Sequence, residues 1–77
     1  MGDVDVELVT RHGCHLCDDA LALLRDLGVE PRERDVDADA ELSRLYDFRV
    51  PVVLVGGRVA AEGRLDRDAL RRALRLG

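Results

Sequence analysis

Two cysteines, Cys14 and Cys17, are the only ones in the chain, and they lie three positions apart. They follow an apolar strand-like run and open an apolar helix-like one, in the stretch T-R-H-G-C-H-L-C that begins at Thr10. One helical turn brings two Cβ atoms to roughly 5–6 Å, close to the separation that a disulfide needs. The spacing therefore predicts a dithiol that closes to a disulfide and reopens, with Cys14 attacking and Cys17 resolving.

The reactivity of Cys14 depends on its place at the start of a helix. Unpaired backbone N–H groups there carry partial positive charge and stabilise a thiolate. A free cysteine with a pKa of about 8.5 is only slightly ionised at neutral pH, whereas a pKa of about 6 makes it mostly thiolate. His12 and His15 flank Cys14 and are candidates for lowering its pKa further. Asp18 and Asp19, within one turn, act in the opposite direction.

Three other roles for the cysteines fit the pattern less well. Buried structural thiols seldom fall at a helix start behind a glycine. A zinc site could draw on the ligands His12, Cys14, His15 and Cys17. These are packed into six residues, with no second Cys or His pair elsewhere. Attachment of c-type haem needs a His directly after the second cysteine, where this chain has Asp18. We expect no metal site and no bound cofactor.

The rest of the sequence predicts elements in the order β-α-β-α-β-β-α. Val4–Val9 alternates as a strand, and Cys14–Leu27 has the apolar spacing of a helix, which stops at Gly28. Charges and a nearby proline predict that the strand over Arg32–Val36 lies at a sheet edge. The next predicted elements are a helix over Ala40–Tyr46, capped by Asp37 or Asp39, and a buried strand over Val52–Val55. A hairpin turn at Gly56-Gly57 leads to a strand over Arg58–Ala61. Asp66 is predicted to cap the last helix, whose inward-facing residues are Ala69, Leu70, Ala73 and Leu74.

This element order predicts an α/β fold in a single domain over residues 1–77. A strand, helix and strand in succession form a right-handed crossover between parallel strands. Two such units and a hairpin would make a four-stranded mixed sheet with helices on both faces. The chain is short enough that its core must be small and built from Leu, Val and Ala.

Val50-Pro51 is the second feature that could take part in the chemistry. Proline is the residue that most readily forms a cis peptide bond, and here it stands at the mouth of a buried strand. We expect a cis bond that turns the backbone of Val50 outward beside the thiol. A substrate peptide or glutathione could pair with it there.

Composition disfavours several classes of partner. The formal net charge is −4, all twelve basic residues are Arg, and acids and arginines are interspersed, which leaves no basic stripe for nucleic acid. Tyr46 and Phe48 are too few aromatics for stacking on RNA. The longest apolar run, Val50–Val55, is too short to span a membrane, and Met1–Asp5 does not resemble a secretion signal. We expect a cytoplasmic protein that is a monomer. Two cysteines in a cytoplasmic chain are more often redox-active or metal-binding than structural.

The chain resembles the glutaredoxin family of the thioredoxin superfamily over essentially its full length, and is most similar to its short bacterial members. The shared features are the basic residue before C-x-x-C, the Val50-Pro51 pair and the helical register between them. The resemblance implies a thioredoxin-like fold. It also implies that Arg11 contacts a glutathione carboxylate, and that the Val50 backbone beside Pro51 pairs with the tripeptide.

The sequence departs from that family pattern at several positions. His15-Leu16 replaces the usual Pro-Tyr, Arg49 replaces a Thr, and the Gly-Gly-Asp turn that grips glutathione is missing near residues 61–63. Leu8 lies where thioredoxins carry a buried acid, and Glu7 is predicted to be solvated or cross-paired rather than catalytic. These departures weaken the predicted grip on glutathione but not the thiol chemistry. Glutathione is thus predicted as a possible co-substrate and not as a bound cofactor.

The dithiol and the resemblance together predict a thiol–disulfide oxidoreductase. Its partners would be disulfide-containing proteins or glutathione mixed disulfides, together with a reductase that recycles it. Two alternatives stay open. The chain could be a dedicated electron donor for one reductase, or an iron–sulfur carrier in which two chains share a cluster through Cys14.

Overall fold

The computed structural model describes residues 5–75, which form four strands and three α-helices. In chain order the elements are β1 (Val6–Thr10), α1 (His15–Asp26), β2 (Arg32–Asp35), a 3₁₀ turn (Val36–Ala38), α2 (Ala40–Tyr46), β3 (Val52–Val55), β4 (Arg58–Glu62) and α3 (Arg67–Ala73). The predicted order of helices and strands is confirmed, and the bounds of α2 and β3 match the prediction. Val4, the predicted first strand residue, lies outside the described residues.

The four strands form one mixed sheet in the order β2-β1-β3-β4. Strands β1 and β2 are parallel, as α1 between them requires, and β2 lies at the predicted edge. Strand β3 runs antiparallel to β1, so the expectation of a second parallel unit is wrong. Strands β3 and β4 form the predicted antiparallel hairpin, and both turn residues, Gly56 and Gly57, have positive φ.

The register explains why β3 reverses. Thr10 at the end of β1 pairs with Asp35 at the end of β2, and Val9 pairs with Val52 at the start of β3. Two strands therefore end, and the third begins, at one end of the sheet. The 3₁₀ turn and the short helix α2 make this connection without returning to the other end. Residues 36–51 are thereby gathered beside the loop that carries the cysteines.

Helices cover both faces of the sheet, as predicted. On one face, α1 and α3 pack on β1 and β3 through buried side chains that include Leu8, Leu24, Val53 and Leu70. On the other face, the 3₁₀ turn and α2 close a smaller cluster, which consists of Val9, Val36, Leu42, Val52 and Leu54. Apolar side chains of β3 contribute to both clusters, which accounts for its uninterrupted apolar sequence.

Each helix begins or ends at a residue suited to that place. Helix α1 is followed by Gly28 with a φ of +85°, the left-handed conformation that favours glycine. Asp39 caps α2, since its Oδ1 accepts the backbone N–H of Glu41 at 2.9 Å and of Leu42 at 3.1 Å. Asp66 caps α3 in the same way, by accepting the backbone N–H of Ala69. The side chain of Ala69 is exposed, so the prediction that it faces inward is wrong.

We expect Asp39→Ala to lower the melting temperature at neutral pH. The N–H of Leu42 is the main cause that lowers the pKa of Asp39, with smaller contributions from the Glu41 N–H and Arg34. A folded pKa below the unfolded value of about 3.9 gives stability that is present above that value. It is lost as the pH falls through the lower folded pKa.

Thermal unfolding followed by circular dichroism from neutral pH to about pH 2 checks this dependence. The gap in melting temperature between wild type and Asp39→Ala should narrow in acid, where Asp39 loses its charge but keeps a capping oxygen. Asp39→Asn keeps a capping oxygen without the charge and is the matched control. Equal melting temperatures for wild type and Asp39→Ala at neutral pH would contradict the capping role.

Candidate active site

Cys14 and Cys17 form a disulfide at the start of α1. Their Cα atoms are 5.2 Å apart, within the ordinary range for such bonds. Cys14 is the N-cap residue, with extended backbone, and its Sγ accepts the backbone N–H of Cys17 at 3.1 Å. The Cys14 carbonyl accepts the N–H of Asp18 at 3.0 Å, the first turn of the helix. The sulfur of Cys14 therefore takes the place of the capping oxygen found at many helix starts.

The two sulfurs differ in their access to solvent. Cys17 is only 1% exposed and belongs to the core, whereas Cys14 is half-buried. Gly13 precedes Cys14 with a φ of +74°, and a Cβ added there would meet no atom within 4 Å. The glycine is thus required by the backbone turn into the helix and not by lack of space. This turn leaves Cys14 at the surface and Cys17 beneath it.

Arg11 is the most heavily bonded side chain beside the dithiol. Its Nε donates to Asp37 Oδ2 at 2.9 Å and its Nη2 to Asp37 Oδ1 at 2.8 Å. Its Nη1 donates to the Asp47 carbonyl at 3.0 Å, and Nη2 also pairs with the Asp47 carboxylate. The pKa of Arg11 is raised above its ordinary value, mainly by the hydrogen bond to Asp37 and next by the one to Asp47. The same bond to Arg11 lowers the pKa of Asp37. The predicted contact of Arg11 with glutathione stays a prediction.

Val50 and Pro51 lie at the same end of the sheet as the dithiol loop. Because Val9 pairs with Val52, the two residues before Val52 run alongside Thr10 and Arg11. The Val50-Pro51 peptide bond is cis. Pro51 is fully buried, and its carbonyl accepts the N–H of Gly63 at 2.8 Å, while Val50 is half-buried. The fold thus brings both predicted motifs to one end of the sheet.

The loop before Pro51 is also held by Arg49. Its guanidinium makes a bidentate pair with Glu62 of β4, at 2.8 and 2.7 Å, and lies 5.3 Å from the centre of the Tyr46 ring. The pair with Glu62 raises the pKa of Arg49 and lowers that of Glu62. Neither this pair nor the Arg11 pairs follow from the sequence pattern, because their partners are 13 to 36 positions away.

The histidines near the cysteines are at the surface. His12 and His15 are both exposed, and their proposed effect on the Cys14 thiolate stays a prediction.

An open groove of about 320 Å³ lies beside the loop and is lined by Thr10, Arg11, His12, Gly13, Asp18, Glu33 and Asp35. Within residues 5–75, no group of three or more His, Cys, Asp or Glu side chains has a metal-binding arrangement.

Two residues of β1 behave as the sequence suggests. Leu8 is fully buried, so the position expected to correspond to the buried acid of thioredoxins has an apolar side chain in this chain. Glu7 is cross-paired with Arg32 and Arg34 of β2, as predicted.

In the part of the chain that the structure covers, no helix combines the length and the apolar character needed to cross a bilayer.

Comparison with known structures finds several similar folds. Protein XcR50 from X. campestris is 32% identical, with a TM-score of 0.79, over 94% of this chain and 97% of that one. Protein Ne2328 from Nitrosomonas europaea is 29% identical, with a TM-score of 0.81, over 94% of this chain and 92% of that one. The thioredoxin-like protein BC3987, in a mutant form, is 27% identical, with a TM-score of 0.71, over 90% of this chain and 97% of that one.

Sequence comparison agrees with these folds. No curated protein matches the chain. The family model described as a glutaredoxin-like domain (DUF836) matches residues 5–75, which include the dithiol and the Val50-Pro51 pair. With its thioredoxin-like fold and its Cys14–Cys17 pair, this chain belongs to the glutaredoxin-like family.

Proposed function

We propose that the protein is a thiol–disulfide oxidoreductase in which Cys14 attacks the substrate and Cys17 resolves the mixed disulfide. The observation that carries this proposal is the hydrogen bond from the Cys17 N–H to Cys14 Sγ. In the reduced protein the same N–H is available to a Cys14 thiolate and favours the charged form. The difference in exposure supports the division of roles, because a substrate disulfide can reach Cys14 more easily than the buried Cys17.

In the proposed reaction the two thiols of the protein are oxidised to a disulfide, and the substrate disulfide is reduced to two thiols. The Cys14 thiolate attacks one sulfur of the substrate, a mixed disulfide forms, and the other substrate sulfur leaves as a thiolate that takes up a proton. Cys17, after losing its proton, attacks Cys14 Sγ and releases the second substrate thiol. The protein ends as the Cys14–Cys17 disulfide, which a thiol reductant or a reductase must reduce again. A reducing compartment such as the cytoplasm supplies these reductants.

The substrate-binding part of the proposal concerns the residues that the fold gathers beside Cys14. The Val50 backbone, next to Pro51, would pair with the main chain of a disulfide-bearing polypeptide or of glutathione. Arg11 would contact an anionic group of the substrate, such as a glutathione carboxylate, only where that group replaces its pair with Asp37 or Asp47. His12 and His15, when protonated, would further stabilise the Cys14 thiolate.

Two coupled assays test the proposal. The oxidised protein is supplied with NADPH and either glutathione plus glutathione reductase or thioredoxin reductase, and reduction of bis(2-hydroxyethyl) disulfide and of insulin disulfides is followed. We expect turnover of the disulfide substrates with at least one of these reductants. Activity confined to one reductase and one protein partner would favour the dedicated electron donor instead. No turnover with either reductant or with dithiothreitol would overturn the oxidoreductase proposal.

A further inference from the structure

The groove beside the dithiol contains more negative charge than positive charge. Among the described residues that line it, Arg11 is the one permanent cation. The carboxylates of Asp18, Glu33 and Asp35 line the same groove and are exposed. Arg11 is therefore the side chain in this lining whose permanent charge can attract an anion that enters the groove beside the loop of Cys14.

The charge of Arg11 is already matched within the protein. Its three guanidinium nitrogens are all engaged, two of them by the Asp37 carboxylate and one by the Asp47 carbonyl, while the Asp47 carboxylate shares Nη2. Side-chain exposure is 31% for Arg11 and 37% for Asp47, so water screens this pair only in part. Two carboxylates on one guanidinium leave the cluster of three residues with a net negative charge.

We infer that Asp37 and Asp47 set the charge selectivity of the dithiol, so that it reacts with neutral or cationic disulfides in preference to anionic ones such as glutathione disulfide. A carboxylate of an entering substrate must displace an internal carboxylate that already makes a bidentate pair, and the exchange brings little net gain. Neutral and basic polypeptide segments meet no such competition. This inference rests on the proposed function and names its substrate class.

The test uses the reduced protein, residues 1–77, in single-turnover reactions with three small disulfides. Glutathione disulfide is a net anion at neutral pH, bis(2-hydroxyethyl) disulfide is neutral, and cystamine is a cation. Each rate constant for oxidation of the protein is divided by the rate constant for the same disulfide with dithiothreitol, which removes its intrinsic reactivity. We expect the normalised rate to be highest for cystamine and lowest for glutathione disulfide.

The decisive variant is the pair Asp37→Asn and Asp47→Asn, which keeps the side-chain shapes and removes both charges. It should raise the ratio of the glutathione disulfide rate to the neutral disulfide rate by about tenfold. The neutral disulfide reports any general damage to the site, so the ratio isolates the effect of charge.

The matched control is the pair Asp26→Asn and Glu30→Gln. Both acids pair with arginines, Arg67 and Arg25, and their removal changes the net charge by the same amount. They lie at or beyond the end of α1, a 12-residue helix about 18 Å long, away from Cys14. We expect this control to leave the ratio near the wild-type value.

Ionic strength gives a second measurement that needs no variant. Added salt should speed the wild-type reaction with glutathione disulfide, slow that with cystamine and leave the neutral disulfide unchanged. The inference is overturned if the Asp37 and Asp47 variant raises the ratio no more than the control does, or if salt slows the glutathione disulfide reaction. If none of the three disulfides oxidises the reduced protein, the proposed function itself fails, and that result is distinct from an unchanged ratio.

Discussion

Replacing Cys14 by Ser is expected to lower the rate of disulfide exchange by roughly three orders of magnitude or more, because the hydroxyl is not ionised at neutral pH and cannot attack a disulfide. Cys17 cannot replace it, since its side chain is buried in the core. The rate is measured with bis(2-hydroxyethyl) disulfide in the coupled assay. Serine is nearly the same size as cysteine, and so we expect the melting temperature to change little relative to the reduced wild-type protein.

Cys17→Ser is the matched variant for the same experiment. It retains the attacking thiol and the backbone N–H that meets Cys14 Sγ, but removes the thiol that releases the substrate. We expect a stable mixed disulfide on Cys14, visible as one added substrate half by intact-mass measurement. If Cys14→Ser formed the mixed disulfide and Cys17→Ser did not, the assignment of the two roles would be reversed.

The second large effect is expected for Leu24→Ala, which should destabilise the fold by about 2–5 kcal/mol. Leu24 is fully buried on α1 in the same cluster as Leu8, Val53 and Leu70, so truncation leaves a cavity under the helix that carries the dithiol. A domain of this size has a total stability of roughly 4–12 kcal/mol, and the loss is a large part of it. Urea unfolding followed by circular dichroism measures the difference.

Leu45→Ala is the matched control for this truncation, because Leu45 lies on helix α2 but is 40% exposed. Its loss should cost well under half as much, since less apolar surface returns to water and no closed cavity forms. Equal losses for Leu24→Ala and Leu45→Ala would show that the cluster between α1 and the sheet does not hold the fold together.

Local sequence signals were enough to predict most of the framework. Gly28 marks the end of α1, Asp39 the start of α2 and Gly56-Gly57 the hairpin, because a capping carboxylate or a positive φ acts within a few residues of its own position. The spacing of the cysteines also predicts their disulfide, for the same reason. These parts of the fold depend on contacts within one or two turns of the chain.

The direction of β3 and the ion pairs of Arg11 could not be predicted in that way. An uninterrupted apolar run such as Val52–Val55 indicates burial on both faces but reads the same for a parallel and an antiparallel strand. The 3₁₀ turn over Val36–Ala38 has no clear sequence signal, yet it carries Asp37 to Arg11. A charged residue on the surface of a loop has several oppositely charged candidates, and only the tertiary fold selects one.

The edge strand β2 also has a consequence for assembly. All four of its residues, Arg32–Asp35, are charged, and its arginines are paired with Glu7 of the neighbouring strand β1. A strand from another chain that added to this edge would bring its own side chains against that row of charges. Growth of the sheet into fibres or strand-swapped dimers is therefore disfavoured at the β2 edge.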